Sequence, residues 1–160
     1  KIKAVTEFKK YAKVFISSES QLPGTLEKYR IKIPPEKMHD ALAFATLLFG
    51  ESTTMAEECA MLGVPSCIIY RHKTFYTQHL ENEYNLLFNY TLEDSQQKKA
   101  IEKGIELLQN QSILKEWKEK QKKLLSEKID VTSFLVWFIE NYPESAKFIM
   151  VNPEYQYNFK

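Results

Sequence analysis

Cysteine is scarce, net charge is almost nil, and long apolar runs are missing. Two cysteines, Cys59 and Cys67, occur in 160 residues. Neither belongs to a CxxC or Cys/His spacing, so the pattern indicates no zinc site. Both fall within apolar runs, where a free thiol behaves as a small hydrophobe, and this usage fits a reducing cytoplasm. The formal net charge of +1 gives no electrostatic argument for nucleic acid or a membrane surface. No stretch approaches the roughly 18–20 apolar residues that span a bilayer, so no transmembrane segment is expected. The three histidines lack metal-ligand spacing, and no Ser/His/Asp or Cys/His constellation is present. The opening KIKAVTEFKK has no short apolar core behind its basic start. It does not begin with Met, and a fragment of a longer protein is the expectation.

What remains is ordinary in composition: 44% hydrophobic and 27% charged residues, as in a soluble globular chain. The length suits one domain that buries about 70% of its unfolded surface. Ile2, Val5 and Phe8 mark the end of an amphipathic helix over 2–12. Short apolar runs read as strands at 13–17, 29–33, 46–49, 66–70 and 85–89. Leu22-Pro23-Gly24 reads as a turn. Helices are expected at 35–45, 53–62, 76–83, 94–109, 112–127 and 131–142, with a loop at 71–75 and an aromatic, extended tail after a further short helix. Single helices between strands imply parallel βαβ units, whose ligands sit at the carboxyl ends of the strands.

One such end reads FGESTTMAEECAMLGVP, residues 49–65. Gly50 permits a sharp turn and close backbone approach. Ser52 suits an N-cap, leaving the amides of Thr53, Thr54 and Met55 to point outward. Free amides at the positive end of a helix dipole form an anion site, typically for phosphate. Glu58 lies one turn beyond Thr54 on the same face, where a carboxylate accepts hydrogen bonds from a vicinal diol. A diphosphate at the tip and a ribose below it describe a nucleotide. Glu51 repels such a diphosphate unless it turns away or caps the helix. Met55, Cys59 and Leu62 form a separate core stripe. The same residues also read as ordinary capping and dipole complementation without any ligand.

The stretch GESTTMAEECAMLGVP resembles the nucleotide-binding segment in the C-terminal domain of GT-B-type sugar-nucleotide enzymes. The UDP-N-acetylglucosamine 2-epimerases carry a similar run, Gly-Asp-Ser-Gly-Gly, two residues, Glu-Glu, then Gly-x-Pro. The lipid-linked N-acetylglucosaminyltransferases of peptidoglycan synthesis share its Glu-x4-Gly-x-Pro part. Matched on that motif, Ser52, Thr53 and Thr54 fall on diphosphate-binding positions and Glu58 on the ribose-binding glutamate. Thr53-Thr54 stands where the epimerase pattern has two glycines, and β-branched side chains narrow the approach. EKYRIKIPPEKMHDALAFATLLFGES, KIDVTSFLVWFIENYPES and NPEYQYNFK extend the likeness over nearly the whole chain. They resemble an uncharacterised bacterial family, itself similar to those epimerases and grouped with surface-polysaccharide synthesis.

The resemblance implies an α/β fold: a Rossmann-like parallel sheet with flanking helices, the GT-B C-terminal half, followed by a helical C-terminal extension. Residues 1–110 would form the nucleotide-binding domain, lacking its first, central strand. Residues 111–160 would add helices and an aromatic tail packed on the same domain. The implied function is the UDP-sugar-binding half of an epimerase or glycosyltransferase, inactive alone. Its active site would be completed by a missing N-terminal domain, with the UDP-sugar as substrate and no separate cofactor or metal. The alternative is a non-catalytic module of similar fold acting in protein–protein contacts. Further ligand contacts are expected from His39, from Glu19 in the loop after the first strand, and from Arg71 and His72, where an Arg pairs bidentately with phosphate. His79 reads as a surface residue. KEWKEKQKK at 115–123 reads as a solvated amphipathic helix with Ile113, Trp117 and Leu124 inward. Phe134, Trp137, Phe138 and the tail aromatics are expected to form an exposed patch that supports a homodimer.

Overall fold

A computed structural model describes residues 1–72 and 74–160; the loop expected at 71–75 therefore includes Lys73, which lies outside the described residues. The chain forms two compact units, Lys1–Gln121 and Lys122–Lys160, a division within a helix and not at 110/111.

The first unit is α/β. Helix α1 (Ile2–Phe8) is followed by a one-turn helix α2 (Gly24–Glu27), a 3-10 turn at Pro35–Lys37 and α3 (Met38–Ala43). Strand β1 (Leu48–Gly50), helix α4 (Thr53–Leu62), β2 (Ser66–Ile69), α5 (Phe75–Tyr84) and β3 (Leu87–Tyr90) then alternate. Helix α6 (Asp94–Gln109) and most of α7 (Ile113–Glu127) complete it. The three strands are parallel in the order β1-β2-β3, with Phe49 opposite Cys67 and Cys67 opposite Phe88.

Alternation along the strands gives the sheet two apolar faces. On one, Ile68 and Leu87 pack with Ala56 of α4 and Leu80 of α5. On the other, the Phe8 ring of α1 meets Phe49 edge-on at 4.7 Å, and Lys103 Nζ of α6 lies 4.7 Å over the Phe88 ring. Gly104 lets α6 approach α1, because a Cβ there would come within 2.7 Å of Phe8 Cζ. Leu42, Cys59 and Val64 form a further core, joined by Met38, Ala45, Met55 and Leu62, the stripe the spacing indicated.

The helix over 53–62 ends as its sequence dictates. Gly63 adopts the left-handed conformation at φ 70° that suits glycine at a C-cap. From α7, Lys118 Nζ donates to the Leu62 carbonyl at 2.6 Å and Gln121 Nε2 to that of Met61, satisfying carbonyls a helix end leaves open. Trp117 is buried, as expected, and its Nε1 donates to the Leu86 carbonyl at 2.8 Å.

Several expectations need correction. The runs 13–17 and 29–33 are not full strands; they meet only at a single parallel bridge, Ile16 to Arg30. Too few neighbours flank them to extend a ladder. Leu22-Pro23-Gly24 does not simply turn: Pro23 leads into α2. The strand expected at 46–49 is Leu48–Gly50, with Gly50 as its last residue. His79 is half-buried, with its ring stacked on Phe75 and edge-on to Tyr84.

The second unit holds the end of α7, then α8 (Val131–Glu140), α9 (Glu144–Val151) and a 3-10 helix at Pro153–Asn158. The tail is therefore wound, not extended. Its aromatics divide: Tyr142, Phe148 and Tyr157 are exposed, as expected, whereas Phe134, Trp137, Phe138, Tyr155 and Phe159 are half-buried. Trp137 is half-buried, with Tyr155 at 5.0 Å and Phe159 at 5.4 Å. Aliphatic residues of α8 and α9 are also open, among them Val131, Leu135, Val136, Ile139, Met150 and Val151. Asp130 caps α8, accepting from the Ser133 amide at 3.1 Å and its hydroxyl at 2.7 Å, and these bonds hold its carboxyl below the usual carboxylate range. Among the described residues no helix is long and apolar enough to cross a membrane.

Candidate functional site

The parallel order carries the carboxyl ends of β1, β2 and β3 to one edge of the sheet. A cleft of about 350 Å³ opens there, lined by Glu51 after β1, by Ile69, Tyr70, Arg71 and His72 at and after β2, and by Leu92 after β3. Two sequence-predicted residues, Arg71 and His72, are thus brought together, both exposed on its wall. Glu51 is exposed as well, and its Oε1 lies 3.7 Å from Lys1 Nζ. A cation facing this carboxylate offsets the repulsion it would exert on an anion.

Next to Glu51 stands the N-terminus of α4. Ser52 Oγ accepts from the Met55 amide at 3.3 Å, so one of the three amides expected to be free is taken by the cap. The Ser52 hydroxyl proton remains available for donation. Thr53 is half-buried and Thr54 exposed; their amides belong to the first turn, which has no intrahelical carbonyl to bond. A Cβ built on Gly50 would have nothing within 4 Å, so the space beside the strand end is open.

Glu58 lies one turn further along α4 and faces α3. Its Oε1 is 3.1 Å from His39 Nε2, with the glutamate side chain 33% exposed and the histidine 68%. The structure therefore joins two predicted site residues that are 19 positions apart (58 − 39). This pair and the polar lining residues Glu51, Tyr70, Arg71 and His72 are separate groups, since Glu58 and His39 do not line the cleft. Glu19 is not joined to either. It is exposed in a loop whose Ser18 and Ser20 carbonyls accept from Arg30 at 2.6 and 3.2 Å.

Sequence reasoning missed Tyr70 and Leu92 as cleft residues and Lys1 as the partner of Glu51. Tyr70 had a signal, being the last residue of an apolar run that ends at Arg71. The thiols are not reactive groups of the site. Burial pushes Cys59 up to about 12 and pushes Cys67 up to about 12. Among the described residues no group of three or more His, Cys, Asp or Glu side chains is placed to hold a metal ion.

Searches against family models, curated proteins and solved structures find no match to this chain.

Proposed function

We propose that the first unit binds the nucleotide portion of a UDP-sugar, as the C-terminal half of a GT-B-type epimerase or glycosyltransferase of surface-carbohydrate synthesis. The observation that carries this reading is the capped N-terminus of α4 beside an open cleft at the carboxyl ends of three parallel strands. Such an edge is where ligands sit in parallel α/β sheets, and the tip of a helix favours a diphosphate. In this reading the Thr53 and Thr54 amides and the Ser52 hydroxyl hold the phosphates. Arg71 and His72 stand across the cleft toward the sugar-linked phosphate. Glu58 accepts from the ribose diol, held in place by His39. The reacting sugar would be completed by a second domain.

A titration of UDP, UDP-N-acetylglucosamine and an ADP control against melting temperature tests this. A ligand at 100 times its dissociation constant stabilises by about 2.7 kcal/mol. The expected result is a rise with both uridine ligands that Glu58→Ala diminishes. No shift at millimolar uridine nucleotide in folded protein sinks the reading.

One observation favours the second reading, a module of protein contacts: the exposed apolar residues of α8 and α9. Mass that grows with concentration in sedimentation, and is restored to monomer by Val136→Lys with Ile139→Lys, is its expected signature.

A further inference from the structure

Charge is unevenly spread along the chain. The first 37 residues carry nine Lys or Arg against four Asp or Glu, a balance of +5, and the remainder carries 13 against 17, a balance of −4. The whole-chain value of +1 is thus a cancellation between two unlike parts. A local basic excess attracts anions even where the total is nil.

The fold gathers part of that excess into one groove. The parallel bridge of Ile16 to Arg30 sets the run before Ile16 beside the run before Arg30. A groove of about 510 Å³ opens there, lined by Lys9, Lys13, Phe15, Lys28, Tyr29 and Arg30 among others. It shares no lining residue with the cleft at the strand ends, so it is a separate place and does not depend on what that cleft holds.

The cations of the groove differ in what they already bond. Arg30 is committed: its guanidinium donates to Glu27 at 2.6 and 3.1 Å and to the Ser18 and Ser20 carbonyls at 2.6 and 3.2 Å. Lys9, Lys13 and Lys28 are exposed, and none of them forms a salt bridge among the described residues. Two are placed by rings instead. Lys13 Nζ lies 5.0 Å from the centre of the Phe15 ring, and Lys28 Nζ lies 5.3 Å from that of Tyr29. A ring attracts an ammonium through its quadrupole but brings no neutralising charge. Three positive charges therefore stand uncompensated around one concave surface.

These parts select the ligand. Lysine is a point charge suited to phosphate, whereas carboxylates pair best with the two-pronged guanidinium, and the groove's arginine is taken. That disfavours an acidic peptide. On a bilayer, apolar side chains reach into the interface past the basic ones; here the ammoniums stand over the rings, which disfavours a membrane surface. Phe15 is 57% exposed, and a lysine over one face leaves the rest of such a ring for stacking. Flat faces are offered by unpaired bases. No free Arg, Asn or Gln lines the groove to read base edges. We propose that this groove binds single-stranded nucleic acid without sequence preference, with Lys9, Lys13 and Lys28 on backbone phosphates and Phe15 stacked on a base.

Fluorescence anisotropy of a labelled oligothymidylate of about ten nucleotides, titrated with the 160-residue chain, tests this. Three phosphate contacts on a single strand give a slope of about −2 in log affinity against log salt, at roughly −0.7 for each. Lys9→Gln with Lys13→Gln and Lys28→Gln should flatten that slope toward zero. Phe15→Ala should weaken binding about tenfold and leave the slope unchanged. All four side chains are exposed, so the melting temperature should hold in both variants. Lys28→Glu alone, which should weaken binding and flatten the slope by at least roughly 0.7, serves if the triple variant unfolds. Excess UDP should not compete. No binding at about 50 mM salt overturns the proposal, as does binding that survives these substitutions. Displacement by UDP would assign the strand to the cleft instead. Equal binding of polyglutamate or of phosphatidylserine vesicles would assign the groove to an acidic peptide or a membrane, and each of these results also overturns it.

Discussion

Glu58 Oε1 on α4 lies 3.1 Å from His39 Nε2 on α3, and the histidine is the more open of the two. The contact lies at the surface, where such pairs contribute about 0–1 kcal/mol. It therefore does little to hold the helices together, and under the nucleotide reading it aims the glutamate. His39→Ala and Glu58→Ala should each shift the urea midpoint by little. Under the nucleotide reading both should weaken uridine-nucleotide binding, Glu58→Ala more strongly, and their double variant should show non-additive loss in calorimetry.

Gly104 sets two effects against each other. Alanine is the better helix former by about 1 kcal/mol, but its Cβ would approach the Phe8 ring to 2.7 Å. Overpacking of that kind costs about 1–3 kcal/mol. Gly104→Ala should therefore destabilise on balance in chemical denaturation, and adding Phe8→Leu should recover part of the loss.

Trp117 couples α7 to the chain before β3. Trp117→Phe keeps much of the apolar contact but strands the Leu86 carbonyl that Nε1 now bonds at 2.8 Å. An unsatisfied buried acceptor costs about 1–3 kcal/mol. The melting temperature should fall accordingly, with no change in the far-ultraviolet spectrum of the folded state.

The buried thiols predict how stability depends on pH. Cys67 is pushed up to about 12 by burial, whereas an unfolded thiol ionises near ~8.5. Stability tied to the neutral thiol is complete below the unfolded value and declines as pH rises toward the folded one, because the unfolded chain loses its proton first. Denaturation midpoints should fall between about pH 8.5 and 10, less steeply in Cys67→Ala. At pH 8 a thiol-specific reagent should label the native chain only as fast as it opens.

Local signals were legible where they needed no distant partner. Ser52 before an apolar-periodic run, with Gly63 and Pro65 after it, marks α4 with its bounds, since a cap and a left-handed glycine are decided by a few adjacent residues. The Ile113, Trp117 and Leu124 stripe was likewise readable, and all three are buried. Strands were less so. The run at 13–17 has the apolar character of the run at 66–70, yet one becomes a single bridge and the other a central strand. A strand exists only when its backbone finds a neighbour, and composition does not name that neighbour.

By itself, then, the order of residues determined the helix caps, the inward faces of the helices and the parallel βαβ alternation that brings the carboxyl ends of the strands to one edge. These follow from short-range sterics, hydrogen-bond valence and hydrophobic period. Only tertiary structure decided that His39 meets Glu58, that Lys1 faces Glu51, and that Tyr70 and Leu92 wall the cleft. Each of those depends on strand order and helix side. They are set by how the whole set of apolar surfaces packs together, and no local stretch of chain encodes them.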